Sequence, residues 1–210
     1  MITTDLIQEL LEQNPVEAIL KHLTGITTAK ITSPEDILKT DIFFDATCVH
    51  GDFGLMQDLT DYALEVGASE KQYLHLLSVN AADVKSPIGL FGRFSLTDGR
   101  MDVKMGGILP IFSAARVQAV RHRIAARSTP ERLDSVRHLV DCPDSLIDNL
   151  IEAHRIILSC ILSQQIHDLD HGIPLSNRIA PDLLSAAERA SLKWALERVP
   201  AVADLLGVPA

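Results

Sequence analysis

Asp144-Ser-Leu-Ile-Asp-Asn-Leu-Ile-Glu-Ala-His-Arg-Ile-Ile-Leu-Ser-Cys-Ile-Leu-Ser-Gln-Gln-Ile-His-Asp-Leu-Asp-His171 is the longest run in the chain that keeps a helical period. Leu146, Leu150, Ala153, Ile157, Ile161 and Ile166 recur at that spacing and are expected to face a core. Ile147, Ile151, Leu158 and Leu162 widen the apolar arc, and an arc so broad predicts burial against more than one neighbour. Gly172 and Pro174 stop the run.

Outward from this segment, most of the chain carries the same signal. Ser185 with Glu188 predicts a capped helix carried by Leu192, Leu196 and Val199 towards Pro200. Thr129, Pro130 and Arg132 fit a cap, an early proline and a first turn, followed by Leu133, Val136 and Val140. Ile108 to about Ala126 reads as helix. So do Leu55, Leu59, Tyr62, Ala63 and Val66 up to Gly67, and a further helix opened by a Ser69/Gln72 capping box. Near the start, residues 3–13 and 15–23 read as short helices, and another turn follows Pro34. The fold class expected is all-α: a helical bundle with one irregular or β-hairpin insertion around residues 88–107 that turns at Asp98-Gly99. Residues 1–40 read as an N-terminal extension or linker and residues 41–206 as the domain.

Composition narrows the classes. The chain has 210 residues, 47% hydrophobic and only 4% aromatic, a mixture that favours helices and one good core. Its formal net charge of −9 disfavours a nucleic-acid binder, because phosphate contacts need clustered cations. Cys48, Cys142 and Cys160 form no CxxC pair, so neither a disulfide framework nor a zinc site is signalled. No basic and apolar leader opens the sequence, and no apolar run reaches the length of a membrane span. The expectation is a cytoplasmic protein with no membrane partner.

A search for chemistry finds no self-contained centre. A nucleotidyltransferase needs a Gly-Ser pair before a helix and two carboxylates nearby to hold magnesium. No Gly-Ser dipeptide exists here, and Asp168-Leu-Asp170 has the i, i+2 spacing that points helical side chains apart. P-loop, GxSxG and HExxH motifs are absent. His167 and His171 are i, i+4 on a helix, but without a third ligand the favoured reading is a pair of last-turn residues, not a metal site. No cofactor and no catalytic residue is therefore expected. The cations Arg116, Arg121, Arg123, Arg127, Arg132 and Arg137 read mainly as a solvated face with internal ion pairs.

The insertion is different. Gly89-Leu-Phe-Gly-Arg-Phe94, Asp102-Val-Lys104, Gly106-Gly107 and Pro110-Ile-Phe-Ser-Ala-Ala-Arg116 combine glycines, aromatics and cations where bundle packing demands none of them. Together with Asp41-Ile-Phe-Phe-Asp45 and Val49-His-Gly-Asp52, these pieces in this order resemble the nucleotidyltransferase substrate-binding domain family. Ser128-Thr129 with Glu131-Arg-Leu133, Pro174 with Asn177, and Leu184-Ser185 with Glu188-Arg189 and Leu192-Lys193 extend the resemblance over about residues 41–200. Members usually sit at the C-terminus of signalling proteins, behind CBS or cyclic-nucleotide-binding modules and a transferase-like domain.

The resemblance implies a non-catalytic, regulatory helical domain that closes one side of a transferase cleft and helps to hold a nucleotide or acceptor. Its partner is a nucleotidyltransferase-like domain in cis or trans. Those upstream modules are not in these 210 residues, so the chain reads as a C-terminal piece or a shortened form. Relatives commonly carry a basic, His-containing segment where this chain has Ile161, Ser163, Gln164 and Gln165. The candidate ligand-binding residues are Arg93, Lys104 and Arg116 as anion partners, with His50 and Asp52 as polar positioning groups. Two plainer readings stand beside these. Asp45, His50 and Asp52 could cap the helix after residue 52, and Arg93 and Lys104 could pair with Asp102 or Asp45. Phe43, Phe44, Phe91 and Phe94 read as core anchors in preference to stacking platforms. The alternative function is a helical dimerisation or docking module, a homodimer among its forms, with no small-molecule ligand.

Overall fold

The structure is a computed structural model that describes residues 44–89 and 92–208. The helices expected before residue 41, and the positions of Phe43 and Phe91, lie outside the described residues. The described chain is predominantly α-helical, and its only sheet has two strands of two residues each. The elements are α1 (Phe53–Ser69), α2 (Lys71–Ala82), β1 (Met101–Asp102), α3 (Leu109–Arg121), α4 (Thr129–Val136), α5 (Asp144–Asp170), β2 (Arg178–Ile179), α6 (Ala186–Arg198) and α7 (Val202–Leu206). The chain divides into two compact units. One holds the described residues up to Leu77 with Ala119–Arg127, and the other holds Ser78–Gln118 with the residues from Ser128 onward.

In the first unit, Asp52 caps α1 by accepting the Leu55 N–H at 3.1 Å. Leu64, Leu74 and Val120 form a small core against Phe44. Gly67 is inside α1 and does not end it. A Cβ there would come within 2.8 Å of Val120, so the glycine lets the helices approach closely. Ser69 does not open α2, as its capping-box pattern suggested. Its hydroxyl donates to the Val66 carbonyl at 2.7 Å, which closes α1 instead. The helix through residue 108 also stops short of Ala126. Arg123 adopts a positive φ of 57°, and the Ile124 N–H returns to the Ala119 carbonyl at 2.8 Å.

The second unit is built around α5, which packs against α6, α4, β2 and the π-helical turn Lys104–Ile108. Its fully buried side chains include Met101, Ile111, Leu133, Ile147, Leu150, Ile157, Ile179, Leu192 and Leu196. Two helices of this unit start as local chemistry dictates. Ser185 and Glu188 form a reciprocal capping box on α6. On α4 the cap is Ser128, one residue before the expected Thr129, because Glu131 lies three residues after Ser128.

The insertion turns where expected. Asp98 and Gly99 take φ of 54° and 73°, and Thr97 and Arg100 exchange both backbone hydrogen bonds, at 2.8 and 3.1 Å. Two consecutive positive φ angles match the right-handed twist of a tight hairpin. The strand that leaves it does not pair locally, however. Met101 and Asp102 pair antiparallel with Ile179 and Arg178, far along the chain.

Two of the insertion's glycines are packing devices. A Cβ on Gly106 would lie 2.1 Å from the Lys85 carbonyl oxygen and 2.6 Å from Pro87, so the π-turn can seat against residues 85–87 only with glycine. A Cβ on Gly107 would lie within 3.4 Å of Ile157 and Leu196. Gly106→Ala should therefore destabilise the fold by about 2 kcal/mol or more, read by urea unfolding. An unchanged midpoint would sink this account of the turn.

Candidate functional site

One cleft of about 610 Å3 lies wholly within the second unit, between the insertion and the start of α6. The insertion supplies Gly92, Arg93, Phe94 and Leu96. The opposite wall supplies Pro181 and Asp182, then Ala186, Arg189, Ala190 and Lys193. The last four are spaced i, i+3, i+4 and i+7, so they share one face of α6. The alanines keep that wall low and the two cations rise from it. Arg93, Arg189 and Lys193 face one lining carboxylate, Asp182, so the cleft is locally positive on a chain of net charge −9.

Two of the three cations are placed by a physical cause. Arg189 donates from Nη2 to the Pro181 carbonyl at 2.8 Å, which ties α6 to the turn before it. Lys193 reaches over Gly92, where a Cβ would be only 2.7 Å from its Nζ. Gly92 also has a φ of 68°, so the glycine serves both the turn and the approach of the ammonium. Among the described residues Lys193 pairs with Glu197 at 4.0 Å, a contact too long and too exposed to hold it. Arg93 is exposed, and its guanidinium makes no hydrogen bond or ion pair with any described residue.

The walls are held in register by a polar clamp centred on one buried carboxylate. Arg100 binds Asp168 with two parallel hydrogen bonds of 2.6 and 2.7 Å. Gln164 donates to the same carboxylate at 2.9 Å, and its carbonyl accepts the Ala180 N–H at 2.9 Å. Residue 100 follows the Arg93 wall and residue 180 precedes the Pro181 wall, so this one network joins both to α5. Asp168 is completely buried. The Arg100 hydrogen bonds, with help from Gln164, hold its carboxyl below the ordinary 3.8, at about 2.

The five residues expected to form the site are not gathered in this cleft. Arg93 lines it, while Lys104 and Arg116 are not among its lining residues. Lys104 is exposed at the π-turn. Asp102 does not pair with the Lys104 ammonium, but accepts the backbone N–H groups of Lys104 and Met105, at 2.9 and 3.3 Å. Arg116 is buried at 3% exposure, with its guanidinium 4.1 Å from the Phe112 ring centroid. His50 and Asp52 belong to the first unit, where Asp52 is the cap of α1. Phe94 is half-buried in the cleft wall.

The other sequence candidates resolve into packing. Arg132 is buried, Arg137 pairs with Asp134 and Asp148, and Arg127 donates to Thr47. His167 and His171 stack with centroids 4.1 Å apart at the end of α5. Among the described residues no group of three or more His, Cys, Asp or Glu side chains could hold a metal ion. No described helix is long and apolar enough to cross a membrane.

Sequence reasoning missed Arg189 and Lys193 as site residues, although the cationic i, i+4 pair on a small-residue face was readable. It also missed Arg100 and Gln164, whose roles depend on distant partners. Residues 71–207 match the family described as "Putative nucleotidyltransferase substrate binding domain". The chain belongs to this family. No curated protein and no solved structure matches it. Both walls of the cleft and all of the clamp fall inside the matched span of this substrate-binding domain. Gln164, in the segment that the family resemblance expected to be basic, is buried against the clamp carboxylate.

Replacing Asp168 with Asn leaves Arg100 without its counter-charge and should lower Tm on the order of 10 °C at pH 6. The folded-state pKa lies below the unfolded one, so the carboxylate's contribution is complete above about 3.8 and is lost as pH falls through about 2. The Tm gap between wild type and Asp168→Asn should thus narrow steadily below pH 3.8. A gap that stayed constant down to pH 2.5 would contradict the ion pair.

Proposed function

We propose that this chain binds, without itself reacting, the substrate of a nucleotidyltransferase-like signalling protein, and that it works against a transferase domain supplied in cis or in trans. The observation that carries this reading is the Arg93–Arg189–Lys193 cleft. Three cations that few internal partners neutralise, beside apolar surface from Phe94, Leu96 and Pro181, suit a ligand with an anionic end and a flat apolar end. A nucleotide, or an acceptor bearing phosphate or carboxylate, has that chemistry. Among the residues first considered, Arg93 is the centre of the proposal, and Arg189 and Lys193 take the place beside it that Lys104 and Arg116 were expected to fill. Exposed Lys104 remains available to the transferase domain, and His50 and Asp52 act by shaping the start of α1. The domain so proposed runs from residue 41 to 206, which adds the α1 unit to the matched span.

The lining residues include no nucleophile paired with a base and no carboxylate pair, so the cleft's chemistry is attraction and orientation. Any reaction belongs to the partner domain. Calorimetry with ATP, UTP, cyclic nucleotides and pyrophosphate on the whole chain tests the proposal. Arg93→Ala or Lys193→Ala should weaken binding about 10-fold or more, as the loss of one charge-assisted contact does. Equal affinity in both variants would refute the cleft. No binding by the wild type, even with a transferase domain added, would refute the function.

A further inference from the structure

The cleft keeps its opposite charges apart. Asp182 is the one carboxylate among its described lining residues, and three cations line the same cleft. A guanidinium and a carboxylate that share a hollow ordinarily close on each other as a hydrogen-bonded pair. The Asp182 side chain is exposed, yet it makes no hydrogen bond or ion pair with any described residue. Arg189 turns instead to the neighbouring Pro181 carbonyl, at 2.8 Å. Lys193 lies against Gly92, the residue before Arg93, so those two cations share one end of the cleft. Lys193 stands about two turns along α6 from Ala186, on the order of 10 Å, and Asp182 precedes the helix altogether. The cleft therefore has a positive end and, towards the start of α6, an open acceptor.

We infer, resting on the reading of this cleft as the ligand site, that its ligands are ribonucleoside diphosphates and triphosphates, with phosphates on Arg93 and Lys193 and both ribose hydroxyls donating to Asp182. Three observations select that class. The first is the acceptor. A carboxylate accepts two donors at once, and a vicinal diol presents two. A ligand ammonium also donates, but it would enter a cleft whose cations outnumber its carboxylate three to one, whereas a neutral diol meets no such repulsion. The second is the positive end. Arg93 and Lys193 together call for more than one negative charge, which a diphosphate carries and the single diester of a cyclic nucleotide does not. A diphosphate joined to ribose also bridges the two ends of the cleft, and a lone phosphate does not. The third is the rest of the lining. Gly92, Phe94, Leu96, Pro181, Ala186 and Ala190 have no polar side chain. No side chain there reads the edge of a base, so sugar and phosphates are recognised while the base makes only apolar contact.

Calorimetry on the whole chain compares ADP, UDP, 2′,3′-dideoxy-ADP, cyclic AMP, ribose 5-phosphate, phosphoethanolamine and pyrophosphate. The wild type should bind ADP and UDP within about 3-fold of each other, and the dideoxy and cyclic compounds about 10-fold or more weakly, as the loss of charge-assisted hydrogen bonds dictates. Asp182→Ala should erase the difference between ADP and its dideoxy analogue. The same variant should bind pyrophosphate several-fold more tightly, because one repelling charge is gone. Its Tm should not move, since the exposed side chain has no contact with a described residue to lose. Equal wild-type affinity for ADP and the dideoxy analogue, with binding still dependent on Arg93, leaves the anion cleft standing and overturns ribose recognition. Tighter binding of ADP and pyrophosphate alike in Asp182→Ala makes Asp182 a repelling charge only and overturns it as well. Phosphoethanolamine bound more tightly than ADP gives Asp182 to an ammonium, and ribose 5-phosphate bound as tightly as ADP removes the diphosphate; either result overturns the class. Binding of none of these compounds refutes the cleft and this inference together.

Discussion

The arrangement of the second unit depends on one buried carboxylate. Asp168 sits in the last turns of α5 with no exposure, and an ionised group in that position is tolerable only if its oxygens are satisfied. Arg100 satisfies both, and Gln164 adds a third bond while its other end takes the Ala180 N–H. Removing Arg100 leaves the buried carboxylate without its counter-charge, and removing Gln164 cuts its link to the Ala180 N–H, so the hairpin, the long helix and the strand at residues 178–179 are locked together. Hydrophobic burial supplies most of the stability here, as in other domains, but it would tolerate small slips. A bidentate ion pair does not, because its geometry is specific.

That constraint explains how a cleft can exist in a chain so rich in leucine and alanine. The hairpin leaves the helical layer after Pro87 and must return to it. The Asp98-Gly99 turn, the pairing of Met101 with Ile179 and the π-turn over Gly106-Gly107 bring it back within twenty residues. What remains outside the packed layer is the Gly92–Leu96 stretch, faced by the first turns of α6. The cations there are held by backbone geometry: a glycine of positive φ beneath Lys193, and a carbonyl of the preceding turn beneath Arg189. The cleft is thus rigid where it is fastened and charged where it is open, which is what a binding surface needs if another module performs the reaction.

Much of the local structure was legible. The span of α5, the capping box of α6 and the turn at Asp98-Gly99 all follow from contacts within a few residues, and they sit where pattern and propensity put them. The boundary errors have local causes too. Ser69 bonded backwards to Val66 where it could have capped forwards, and Ser128 outcompeted Thr129 because the glutamate that completes the box stands three residues after it. The cleft was legible only in part. Arg93, which lines it, stands out in the sequence because it interrupts a helical pattern with charge, whereas Arg189 and Lys193 look like ordinary members of an amphipathic helix until the opposite wall is known.

Side-chain periodicity along the chain was enough to establish an α-helical domain with a single interruption, and the ordered motifs were enough to name its family. Which side of α5 faces inward was decided by folding alone. Leu158, Leu162 and Ile166 are as apolar as Ile157 and Ile161, so hydropathy ranks both faces alike, yet the polar pair Gln164 and Asp168 went inside. The reason is Arg100, sixty-eight positions away, whose two hydrogen bonds make burial of the carboxylate favourable. A partner that distant has no trace in any local pattern, and with it went the placement of the cleft and the exposure of Leu158, Leu162 and Ile166.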